Sequence, residues 1–178
     1  MQVLDSILTT PTVALPPFPT LDVDPVETGL DAGRDALDAI AGLTAATELG
    51  DEGRAEAVYG AAIAGDPDSV LAYGGLIKLL CRQRREGAAL DLINAALDRC
   101  DESAQLHYLR GYALESAGRW AAAMEAFGRA LSLDRTFAEP HYRLGVLCER
   151  LGDPVTAARH LERYQRLLVA RGTNPLLC

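Results

Sequence analysis

Three histidines and four cysteines are the side chains of this sequence best suited to holding a metal or acting as nucleophiles. His107 and His141 stand 34 residues apart. On equivalent helices of a regular repeat, their backbones would lie ~10 Å apart. Tetrahedral zinc needs three or four nitrogen, sulfur or oxygen ligands, and no third ligand has suitable spacing. His160, with Arg159 and Arg163 near it, is expected to face solvent. Cys81, Cys100, Cys148 and Cys178 form no C-x-x-C pair and no zinc-like spacing. Cys81 precedes Arg82, Arg84 and Arg85, and such cations lower a thiol's pKa. A small buried side chain is the simpler account of it. Nothing matches a glycine-rich phosphate loop, a Ser-His-Asp set or a poised carboxylate pair. The expectation is no catalytic residue, no metal and no cofactor.

The elements that carry these residues follow from composition. Hydrophobic residues make up 49% of the 178, mainly Ala and Leu, while aromatics are only 6%. Ala loses no side-chain entropy in a helix and Leu loses little, and β-branched residues are sparse, so the chain reads as all-α. The net charge of −8 argues against nucleic-acid binding, which needs a basic surface. Charge is also uneven. Residues 1–69 hold thirteen acids against Arg34 and Arg54, whereas residues 70–178 hold fifteen basic residues against twelve acids. The acidic end would steer a basic partner or the chain's own basic half, or remain a solvated leader. No apolar run reaches membrane-spanning length and no signal peptide is visible, so neither membrane insertion nor export is expected. Isolated thiols suit a reducing compartment, and a cytoplasmic location follows as the expectation. The Ala/Arg/Leu bias, with Lys78 the single lysine, suggests a GC-rich bacterial source.

Residues 1–30 read as a Pro-rich, acidic leader, extended or disordered. Pro11, Pro16, Pro17, Pro19 and Pro25 remove amide donors and block helix continuation. The VLDSIL segment before them is too short for a stable helix alone. From there the chain repeats. VLAYGGLIKLLCRQRREGAALDLINAALDRCDES spans 70–103, AQLHYLRGYALESAGRWAAAMEAFGRALSLDRTF spans 104–137, and AEPHYRLGVLCERLGDPVTAARHLERYQRLLVAR spans 138–171, with no gap between them. A degenerate unit at 36–69 keeps the phase in Ala55, Tyr59, Ala62 and Pro67, but has Ala39 and Gly42 in its first half. Turn chemistry agrees. Ala117-Gly118-Arg119 precedes Trp120, and in Gly152-Asp153-Pro154 the Gly ends one helix, Asp caps the next and Pro takes its first position. Predicted helices are 34–48, 53–64, 70–83, 87–99, 104–116, 121–133, 138–150 and 154–171. Stacked pairs bury a continuous core that one pair cannot.

This pattern resembles the tetratricopeptide-repeat family. The third unit places Gly111, Ala123, Phe127 and Ala130 at the family's key positions. The fourth supplies Leu144-Gly145, Ala157, Leu161 and Tyr164, and the second Tyr73, Leu76, Ala89, Ile93 and Ala96. Arg110 stands where Leu is usual, Ile77 replaces the second unit's Gly, and only the first unit keeps its closing Pro. The resemblance covers residues 36–171 and implies a right-handed α-solenoid of stacked antiparallel helix pairs. The helical domain is thus expected at 31–171, with 172–178 as a tail.

The resemblance also implies a concave groove lined by positions 2, 5, 9, 12 and 13 of each unit. These are Leu71, Lys78, Cys81 and Arg82 in the second unit. The third gives Gln105, Tyr108, Tyr112, Glu115 and Ser116, and the fourth Glu139, Tyr142, Val146, Glu149 and Arg150. Tyrosines there would offer apolar faces with polar tips. The alternative is that Tyr108 and Tyr142 complete the packing between helices. Family members that clamp a terminal carboxylate need Lys and Asn at set positions. Only Arg143 matches; Leu109 stands where Asn is required and Glu139 where Lys is, so no such clamp is expected.

The function this implies is a non-enzymatic protein–protein interaction scaffold, an adaptor or an assembly or secretion-type chaperone, gripping an extended or helical segment. Other readings are a regulatory or docking subunit of a bacterial enzyme or signalling complex, a metal or enzyme site at His107, His141 or Cys81, and a homo-oligomer joined through the leader. Pro175 forbids a further long helix, so Leu167, Leu168, Leu176 and Leu177 are expected to meet a second copy, a partner or the leader.

Overall fold

A computed structural model describes residues 52–100 and 102–172. The leader, the helix expected at 34–48 and the tail beyond Gly172 lie outside the described residues. Seven helices occupy what is described, with no strand among them. They are α1 (Glu52–Gly65), α2 (Val70–Arg82), α3 (Glu86–Leu97), α4 (Ala104–Ser116), α5 (Trp120–Leu133), α6 (Ala138–Arg150) and α7 (Pro154–Ala170). Each begins and ends within about two residues of its predicted span, the usual uncertainty at fraying helix ends. Helices α2/α3, α4/α5 and α6/α7 form three hairpins, α1 packs on α2, and α2 also lies beside α4. The result is an all-α solenoid.

The hairpins close on the residues that the repeat singles out. Ala55, Ala89, Ala123 and Ala157 recur at one position of four units and all are buried. Gly111 meets Phe127, the largest fully buried side chain among the described residues, and Gly145 meets Leu161. Where the second unit puts Ile77 in place of that Gly, Ile77 and Ile93 are both fully buried, and α2 and α3 approach less closely than α4/α5 or α6/α7. Helix approach is set by the side chains at the contact, so the added volume opens this hairpin. The second unit's close contact falls elsewhere: Gly75 packs against the ring of Tyr59 from α1.

The three hairpin turns share one hydrogen-bond pattern. The amides of Arg85, Arg119 and Asp153 donate to the carbonyls of Leu80, Leu114 and Cys148, at 2.8, 2.8 and 2.9 Å. This bond satisfies a helix-end carbonyl and needs a left-handed residue just before the donor. Gly118 and Gly152 fill that place at φ +72° and +81°, whereas Arg84 fills it at φ 60°. After the last turn, Asp153 accepts from the Thr156 amide at 3.0 Å, with Pro154 as the first residue of α7. Ser103 caps α4 by accepting from the Leu106 amide at 3.2 Å.

Candidate functional site

Helices α2, α4 and α6 place the expected groove residues in five rows, one for each repeat position. One position gives Lys78, Tyr112 and Val146, one from each helix. All three are half-buried. Arg143 of α6 crosses this row. Its guanidinium donates to Glu115 Oε2 at 3.2 Å and lies 4.8 Å from the centroid of the Tyr112 ring. The two side chains of this ion pair are only 14% and 12% exposed. Burial pushes the Glu115 carboxyl above its usual range, and the charges of Arg143 and Arg150 oppose that shift. The pair therefore sits on the costly side of desolvation and holds by geometry.

Tyr108 and Tyr142 lie deeper. Tyr108 is 6% exposed and packs on Phe127 and Phe137, with ring centroids 5.7 and 5.2 Å away. Tyr142 is 8% exposed and packs on Tyr164 at 5.3 Å. Burial raises the Tyr108 phenol, opposed by the nearby charge and hydrogen bond of Arg143. These two rings join adjacent helices, while Tyr112 keeps part of its face open. Leu71 (39% exposed), Gln105, Glu149 and Arg150 are exposed. Arg150 stacks 5.3 Å from the Trp120 ring, and Arg82 donates to Glu52 Oε1 at 3.1 Å. Glu139 has Oε1 3.8 Å from Arg171, and its buried Oε2 has no hydrogen-bond partner among the described residues. Cys81 is buried, and that burial raises its thiol pKa despite a hydrogen bond with Ser116. It packs within the core, where burial works against the thiolate form.

The histidines pair differently from their spacing. His160 is half-buried and faces His141, with the two Nδ1 atoms 3.0 Å apart. This corrects the expectation that His160 faces solvent: the α6/α7 hairpin carries it onto His141. His107 lies instead beside Arg110 in a groove of about 450 Å³ between α3, α4 and α5, with Arg119 and Arg129 at its rim. Among the described residues, no group of three or more His, Cys, Asp or Glu is placed to hold a metal ion.

A family model described as TPR repeat matches residues 111–152, and one described as Tetratricopeptide repeat matches residues 40–104. The chain is a tetratricopeptide-repeat protein. No curated protein matches its sequence. Solved structures share its fold. A double mutant of MamA from strain RS-1 is 25% identical, with a TM-score of 0.58 over 77% of each chain. MamA residues 41 to the end, from Desulfovibrio magneticus RS-1, is 24% identical over 79% of each chain, also at 0.58. YrrB, a TPR protein with an unusual peptide-binding site, is 14% identical over 78% of this chain and 72% of its own, at 0.55.

Tetratricopeptide repeats make protein–protein interaction scaffolds, and no described helix is long and apolar enough to cross a membrane. The repeat register names the rows but misses Arg143 as the residue that ties them together. Arg143 sits one position beyond an expected groove site, and only its length and the Glu115 opposite bring it into the row. A long cation one residue off the stripe, with an acid one unit earlier, is the signal that would have found it.

Proposed function

We propose that this repeat protein is a non-enzymatic scaffold that holds a segment of a partner polypeptide across α2, α4 and α6, acting as an adaptor or assembly chaperone. The observation that supports this most is the state of Tyr112. Its ring is half-buried, is braced on one side by the Arg143–Glu115 pair, and is flanked along its row by the half-buried Lys78 and Val146. A ring fixed in place loses little entropy when a ligand covers it, which is why braced aromatics anchor interfaces. Exposed Leu71 and Gln105 extend the surface along the neighbouring row. Their mixture of apolar faces and polar tips suits a peptide segment better than a small apolar ligand.

The test is recovery of a partner from the native host. Wild-type chain is expected to co-purify with a stoichiometric protein, and Tyr112→Ala combined with Leu71→Ala is expected to lose it while keeping wild-type helicity. Tyr108 is the wrong residue to mutate, because it is core. Equal recovery with the double variant would move the binding surface away from this face.

A further inference from the structure

Every carboxylate bordering this face at α2 or α4 has a partner. Glu52 accepts from Arg82 and Gln83, Glu86 accepts from Ser116, and Glu115 is held by Arg143. Lys78 has none. It is half-buried, and among the described residues no carboxylate forms an ion pair with it. Its notable charged neighbour is Arg143, which is like in charge and already engaged by Glu115 and Tyr112. Burial first, and then Arg143, lower the Lys78 pKa. A partly desolvated cation beside another cation is unfavourable until an anion arrives.

Resting on the function proposed above, we infer that the segment bound across α2, α4 and α6 carries one internal Asp or Glu whose carboxylate docks on Lys78 beside Tyr112. The pairing exchanges a poorly hydrated ammonium for a charge-assisted hydrogen bond, so it favours the bound state more than an exposed lysine would. Among the described residues, Lys78 is the half-buried cation of this face that no carboxylate pairs with, and a single ammonium matches one carboxylate. A chain terminus ending in an acidic residue would bring two, and Leu109 offers no donor while Glu139 repels the second. The acid is therefore a side chain within the segment.

A random peptide library, displayed with flanking sequence so that neither terminus is free, tests this on the full chain. Wild type is expected to enrich peptides with one Asp or Glu at a fixed offset from apolar residues. A synthetic peptide from that set should lose about tenfold in affinity on changing its acid to the amide, and equally on Lys78→Met. Lys78→Arg should restore binding, and amidating the peptide's C-terminus should not matter. Because Lys78 is the single lysine, reductive methylation with isotope-labelled methyl groups gives one lysine resonance, which must shift when the peptide binds. Peptides that need Tyr112 but show no acid preference would overturn the inference and leave the groove in place. A library giving no peptide sensitive to Tyr112→Ala would remove both.

Discussion

Gly111 lies against Phe127 so closely that a Cβ on it would come within 2.5 Å of the ring. Phe127 is fully buried and cannot turn aside. Gly111→Ala is therefore expected to lose about 1–3 kcal/mol, the cost of overpacking a filled core. Gly145→Ala meets Leu161 at 2.8 Å, but Leu161 is half-buried on the last helix and can shift. Its loss should be the smaller. Urea midpoints of the two variants check the order, and equal losses would refute the idea that Phe127 is the less yielding neighbour.

Arg84 holds the left-handed turn conformation that Gly118 and Gly152 hold in the next two hairpins. A residue with a Cβ pays roughly 1–2 kcal/mol there, part of which Gly returns as chain entropy in the unfolded state. Arg84→Gly should stabilise the chain by up to about 1 kcal/mol, because the Arg84 side chain is 80% exposed and its contact with Glu86 is long, at 3.6 Å. Gly118→Ala should do the opposite. Thermal melts of both would settle the matter, and destabilisation by Arg84→Gly would mean that Arg84 makes a contact worth more than its backbone strain.

The His141–His160 contact makes α6/α7 sensitive to acid. One imidazole donates and the other accepts, so both cannot be charged without loss of the bond. Burial, then His160 and Arg163, lower the His141 pKa to about 4, and burial lowers that of His160. The folded state thus prefers neutral rings, while the unfolded chain takes up protons near pH ~6.5. Stability from this pair is complete above about pH 6.5 and drains away as pH falls toward about 4. Allowing for solvent screening of half-exposed rings, the loss is on the order of 1 kcal/mol. Denaturation at about pH 7.5 and about pH 5 should show it in wild type. His141→Gln with His160→Gln should flatten the difference; an unchanged slope would assign the acid sensitivity to other groups.

Breaking the Arg143–Glu115 pair from one side should hurt more than removing it. Glu115→Ala leaves a nearly buried guanidinium without its carboxylate, at a cost of about 3 kcal/mol. Glu115→Leu together with Arg143→Met should cost less than the two single losses added. A double-mutant cycle on unfolding free energies measures the coupling. Strict additivity would show that the pair brings no mutual stabilisation.

Much of this chain could be read from residue types alone. Glycine, alanine and large apolar residues recurring every 34 positions dictate helical hairpins, because helices approach closely only where side chains are small and fill gaps only where they are large. Turn residues did the same for the ends, since the Asp153 cap and the two turn glycines act within a few residues of themselves. The departures were visible as well, in Ile77 and Arg110, but not their outcome: the α2/α3 opening depends on how far Ile77 and Ile93 push two helices apart. Tertiary structure alone decided which groove residues remain reachable. Tyr108, Tyr112 and Tyr142 look alike in sequence, yet neighbouring rings cover the first and third, while an arginine from another unit braces the second. It also decided that His160 meets His141 and that, among the described residues, no carboxylate pairs with Lys78. Periodicity sets which face of a helix a residue occupies, but burial and pairing are sums over several helices, and those sums exist only once the stack is assembled.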